Sequence, residues 1–124
     1  MVLVATGHPI SGRVQYNARM TEYIQIVTTT MRKADAETIA RALVERRLAA
    51  CVQVLGPITS TYWWEGRIET NHEWQCWIKS RRDRYAQIEQ AIAALHSYAV
   101  PEILAMPVVA GSAKYLAWLD DTLG

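Results

Sequence analysis

The stretch Thr61-Tyr62-Trp63-Trp64-Glu65-Gly66-Arg67-Ile68-Glu69 joins two long strand-like runs through a short turn and loads that turn with aromatic rings. Upstream, Ala50 to Tyr62 is rich in Val, Leu, Ile and Thr. Downstream, Arg67 to Ser80 alternates Trp74, Cys76 and Ile78 with Gln75, Trp77 and Lys79. A period of two is the strand signal. Gly66 supplies the positive φ that a tight hairpin connection needs, with Glu65 as a tolerated turn partner. Each arm holds about a dozen residues where strands commonly run to about 5 or 6, so the hairpin outruns the rest of any sheet it joins. A two-stranded overhang ending in Tyr62, Trp63 and Trp64 is poorly stable alone in water, and its edges invite another chain. A neighbouring subunit is expected to cover it.

Outward from the hairpin, Thr21 to Thr30 alternates in a β-branched composition and reads as a first strand. Asp35 is a candidate N-cap for a helix whose apolar face is Ala36, Ile39, Ala40, Leu43, Val44 and Leu48, running to about Ala49. Gly56-Pro57 interrupts the first hairpin arm, which implies an edge strand or a bulge. Tyr85, Ile88, Ala91, Ile92 and Leu95 give a second helix ending near His96. Pro101 makes 97–100 a defined loop feeding a fourth strand over about Glu102 to Met106. Gly111-Ser112 starts a last helix in which Tyr115, Trp118 and Leu119 are spaced to dock on the body. The order β-α-β-β-α-β-α with right-handed crossovers predicts an α+β, ferredoxin-like sandwich: a four-stranded antiparallel sheet, a long central hairpin and an extra C-terminal helix.

With 124 residues the chain suits one core, taken as a single domain over 21–124 behind an N-terminal extension of unknown role over 1–20. That extension has one apolar patch, Val2 to Ala5, with no basic residue ahead of it, and makes a poor secretory signal. Hydrophobic residues at 51% and charged ones at 20% exclude a disordered chain, and no apolar run is long enough to span a membrane. Thirteen basic against twelve acidic side chains give no reason to expect a nucleic-acid or membrane partner. Cys51 and Cys76 lie singly in strand runs, so neither a disulfide framework nor a zinc site is indicated, and a cytoplasmic setting is expected.

The pattern Leu48-Ala49-Ala50-Cys51, Tyr62-Trp63-Trp64-Glu65-Gly66, Lys79, His96-Ser97-Tyr98-Ala99-Val100-Pro101-Glu102, Pro107 and Tyr115-Leu116-Ala117-Trp118-Leu119 resembles the CutA divalent-cation tolerance proteins, in order and spacing from Tyr23 to Leu119. The resemblance implies a stable homotrimer of ferredoxin-like subunits, similar in architecture to the PII signalling proteins, assembled through the long hairpins. It also implies a non-enzymatic role in tolerance of copper or another divalent cation. Copper-binding bacterial members place a Cys in the first strand and two adjacent His at the end of the second helix. The matching positions here are Thr28, Leu95 and His96, so one of three is retained, and with the thiolate goes most of the softness that selects copper.

For each candidate residue a plain structural reading stands beside the functional one. His96 is a metal candidate, or an imidazolium capping a helix end. Cys51 is a second metal candidate, or an inert small hydrophobe. Tyr62, Trp63 and Trp64 are ring platforms for a ligand, or packing at a subunit contact. Lys79 and Glu102 are charges beside apolar strands that pair with each other or form the polar floor of a cleft, with Tyr98 and Trp118 as its walls. Two other functions compete: a PII-like sensor or scaffold trimer that recruits a partner protein, and an acylphosphatase-like hydrolase. The hydrolase needs a Gly-rich anion loop after the first strand, where this chain has Thr30-Met31-Arg32-Lys33-Ala34 without a Gly.

Overall fold

The computed structural model describes residues 22–124, and the extension expected over 1–20 lies outside them. The elements are β1 (Tyr23–Thr30), α1 (Lys33–Glu45), β2 (Cys51–Trp64), β3 (Arg67–Arg81), a single 3-10 turn (Arg82–Arg84), α2 (Tyr85–Leu95), β4 (Ile103–Pro107) and α3 (Ala113–Leu123). The strands form one sheet in the order β2-β3-β1-β4 with every neighbouring pair antiparallel, which is the ferredoxin-like arrangement.

Strand alternation divides the hydrophobic residues between two faces. One face carries Ile24, Ile26, Cys76 and Ile78, and α1 and α2 cover it with Ala36, Ile39, Leu43, Ile88 and Ile92. On the other, α3 lays Leu116, Leu119 and Leu123 against Tyr23 and Ala50. Polar bonds fix that docking: the Tyr23 hydroxyl donates to Asp120 Oδ2 at 2.6 Å, and Arg81 Nη1 donates to Asp120 Oδ1 at 3.1 Å. Ser112 caps α3, its side chain accepting from the Tyr115 N–H. Tyr115 and Trp118, with ring centroids 5.4 Å apart, are 41% and 45% exposed, so the leucines and not these rings make the buried face of α3.

Two boundaries differ from the sequence reading. Helix α1 starts at Lys33 with Arg32 at the N-cap position, and Asp35 sits in its first turn, bonded to the Arg32 guanidinium. A carboxylate there still opposes the positive end of the helix dipole. The same helix stops at Glu45 because Arg47 turns left-handed at φ 55°. Leu48 N then donates to Leu43 O, and Arg47 N to Val44 O. This is a Schellman closure, with Leu48 folded back against the core instead of prolonging the helix.

Strands β2 and β3, 14 and 15 residues long, overhang the sheet as expected. Their tip is a two-residue turn with Glu65 and Gly66 both at positive φ (50° and 79°), the geometry that matches strand twist. The last pair between β1 and β3 is Thr30 with Trp74. Beyond it the seven pairs from Ile58/Glu73 to Trp64/Arg67 form a ribbon with no third strand, roughly 20 Å long. The register shift between Leu55 and Ile58, at Gly56-Pro57, falls at the root of this ribbon.

Candidate functional site

Where the ribbon leaves the sheet, it and the 96–102 loop border a half-open cavity of about 720 Å³. The ribbon contributes Ser60, Thr61, Tyr62, Trp63, Trp64 and Glu73, β1 contributes Thr29, and the loop adds Tyr98, Ala99, Val100 and Glu102. The loop is tied down at both ends of one imidazole. His96 Nδ1 accepts from the Tyr98 N–H at 3.1 Å, which leaves the ring hydrogen on Nε2 to donate to Thr29 O at 2.7 Å. Tyr98 then reaches across and donates its hydroxyl to Glu73 Oε2 at 2.7 Å. Burial, and then the bond to Glu73, pushes the Tyr98 phenol well above its ordinary value.

Five of the seven cleft candidates come together here: Tyr62, Trp63, Trp64, Tyr98 and Glu102. Lys79 and Trp118 do not. Lys79 lies opposite Gln25, whereas Ile103, next to Glu102, lies opposite Thr28. The Lys79 ammonium instead donates to Gln25 Oε1 at 2.9 Å and to Gln53 Oε1 at 2.8 Å, so the pair with Glu102 is not formed. Trp118 is held away on α3. Glu73 and Thr29 were not singled out from the sequence. Glu73 looks like one more polar alternation position, and nothing local shows that it falls where the third strand runs out.

The metal candidates are not gathered. Cys51 lies level with Gln25 in the sheet, and His96 binds the carbonyl of Thr29, four residues further along β1 and roughly 13 Å away on that axis alone. Both His96 nitrogens are engaged in bonds to Thr29 and Tyr98, a loop-pinning arrangement in place of the expected imidazolium cap. Among the described residues no three His, Cys, Asp or Glu side chains come together as a metal site. The donor set of the described residues therefore does not fit a bound transition-metal ion. Both thiols are free, and burial pushes that of Cys76 up to about 11. Arg32, which an acylphosphate-cleaving loop would need, is bonded to Asp35.

The sequence model of the CutA1 divalent ion tolerance protein family matches residues 24–122. The divalent-cation tolerance protein CutA of Archaeoglobus fulgidus is 42% identical over 89 residues, covering 72% of this chain and 86% of that protein. The chloroplastic protein CutA 1 of Oryza sativa subsp. japonica is 33% identical over 112 residues, covering 90% of this chain and 63% of that protein. Among solved structures, the periplasmic divalent cation tolerance protein CutA from Archaeoglobus fulgidus superposes with a TM-score of 0.80 at 38% identity, over 82% of this chain and 99% of that one. These relatives overturn the cytoplasmic expectation, since one is described as periplasmic and another as chloroplastic. Two unpaired cysteines bear on disulfide formation and do not fix a compartment. No helix among the described residues is long and apolar enough to cross a membrane. With the family model matched over 24–122, nearly the full described length, and a relative 42% identical over most of the chain, the chain belongs to the CutA1 divalent ion tolerance protein family.

Proposed function

We propose that the protein acts in divalent-cation tolerance as a non-enzymatic homotrimer that binds a metal ion or a small ligand in the cavity at the root of the ribbon, with a sister subunit closing that cavity from outside. The observation that carries this reading is the cavity itself, bordered by Tyr62 and Trp64, which one chain leaves 39% and 44% exposed, at a tip whose Trp63 is 71% exposed on the other face. Assembly is favoured by a second feature. The sheet face that α3 only partly covers also carries Leu55, Leu104 and Met106, all exposed, Leu104 at 58%. Exposed apolar side chains there, interleaved with Gln25, Gln53, Gln75 and Lys79 and lying beside an unsupported ribbon, suit burial against copies of the same chain. The lining supplies carboxylates and hydroxyls with neither His nor Cys, so it offers no nucleophile of the Ser-His or Cys-His kind. Because the described residues gather no three His, Cys, Asp or Glu side chains, a bare metal ion would need ligands from beyond them, which a second subunit can supply.

Light scattering should give three times the subunit mass, and calorimetry on the metal-free assembly should detect copper(II), zinc(II) or a small ligand. Binding should weaken when Trp63 and Trp64 are both replaced by alanine. A well-folded monomer in dilute buffer, or binding indifferent to both tryptophans, would overturn the proposal.

A further inference from the structure

The chemistry of the lining points to a narrower ligand class than its volume does. We infer that the cavity takes an organic ammonium, a protonated or alkylated amine on a carbon skeleton, in preference to an anion or a bare metal ion. This rests on the reading of the cavity as the binding site and specifies its occupant.

Glu73 is only 6% exposed, yet among the described residues neither it nor Glu102 forms an ion pair with any Lys, Arg or His. Among the described residues, the one side-chain bond to the Glu73 carboxylate comes from the Tyr98 hydroxyl. A carboxylate drawn out of water calls for a cation, and a single phenol donor compensates only part of that loss. The rest of the wall is aromatic: strand pairing puts Tyr62 and Trp64 on the ribbon face that carries Glu73, and Tyr98 bonds to Glu73 from the loop, while Trp63 alternates to the other face. Electron-rich ring faces attract cations, indole most strongly, and the gain grows as water is excluded. A bare divalent ion makes little use of such rings and is held best by several charged or imidazole ligands, and among the described residues no three His, Cys, Asp or Glu side chains come together. Two carboxylates repel an anion. An ammonium on a carbon skeleton satisfies every part of the lining, and about 720 Å³ holds a molecule of that size.

The test uses three probes with one ring and three charges, benzylammonium, benzyl alcohol and benzoate, titrated calorimetrically into the native assembly at neutral pH. Benzylammonium should bind at least about tenfold more tightly than benzyl alcohol, and benzoate weakest. Raising the salt should weaken the ammonium alone. Glu73→Gln keeps an acceptor for Tyr98 and should cost about tenfold for benzylammonium while leaving benzyl alcohol unchanged. Glu102→Gln, at an exposed position, repeats the test where folding is not at stake. The indole N–H signal of Trp64 should shift with benzylammonium in NMR spectra, and that of Trp63, on the other face of the ribbon, should move less.

Benzyl alcohol or benzoate binding as tightly as benzylammonium, with the Trp64 indole signal moving, would overturn the ammonium inference and leave the cavity reading standing. Copper(II) or zinc(II) binding that Glu73→Gln abolishes, with all three probes silent, would do the same. Silence toward all three probes and both metals would overturn both.

Discussion

Replacing Tyr98 by phenylalanine removes one oxygen atom, and with it the only side-chain hydrogen bond that Glu73 makes among the described residues. At 2.7 Å this is a short bond to a carboxylate, and Glu73 is nearly buried. Bonds to charged groups contribute about 1.5–3 kcal/mol, and Tyr98 is itself half-buried, so Tyr98→Phe should cost about 2 kcal/mol. If the carboxylate is the source of that strength, the same change in a Glu73→Gln background should cost about 1 kcal/mol, the value of a neutral bond. The difference, a coupling of about 1 kcal/mol, is read from a double-mutant cycle by urea unfolding at one fixed subunit concentration. Costs that agree within about 0.3 kcal/mol in the two backgrounds would refute the assignment. The pH profile gives a second readout. The Tyr98 phenol is held above its ordinary value of 10.0 in the folded state, so above that pH the unfolded chain releases the proton first and stability falls as pH rises. Tyr98→Phe should lose that part of the slope.

Other outcomes follow from packing and burial. Cys76, with its thiol raised from 9.0 to about 11, should carry about a hundredfold less thiolate near pH 8 than an ordinary cysteine, so a thiol reagent should label Cys51 quickly and Cys76 only on unfolding. Two thiols labelled at one rate would contradict the buried placement. At Gly56, a Cβ would stand 2.6 Å from Trp74 Cε3 and 2.8 Å from Cδ2, so Gly56→Ala must displace the indole at the ribbon's root. A loss of about 1–3 kcal/mol is expected in denaturant unfolding, and an unchanged midpoint would show that Trp74 moves freely. Ser112→Ala removes the side-chain acceptor for Tyr115 N–H and should cost about 1 kcal/mol, seen as earlier hydrogen exchange in α3 than in α2.

What the sequence discloses and what it hides divide along a physical line. The hairpin, the bulge at Gly56-Pro57 and the strand order were all legible, because alternation, turn glycine and crossover handedness act locally or by general rule. The end of α1 was not. Its Schellman turn is made at Arg47, where glycine is the usual mark, and Leu48 continues the helical spacing although its backbone has already reversed. Trp118 was misplaced for a related reason: Tyr115, Trp118 and Leu119 share a spacing with Leu116, Leu119 and Leu123, and only the sheet decides which side of α3 is buried. In the site, the aromatic tip declared itself, while Glu73 and the double engagement of His96 depend on contacts between residues far apart in sequence. Lys79 illustrates the converse, a charge beside apolar neighbours whose partners proved to be two glutamines.

Beyond Trp74 the ribbon answers to no strand but its own partner, so its length is free to vary in a way that the rest of the sheet is not. Pleating imposes a parity on that freedom. Adding one residue to each arm would swing Tyr62 and Trp64 to the opposite side, whereas adding two would restore their direction and carry them about 7 Å further out. Lineages that lengthen or trim this projection while keeping its rings on the same side should therefore do so in even steps per arm.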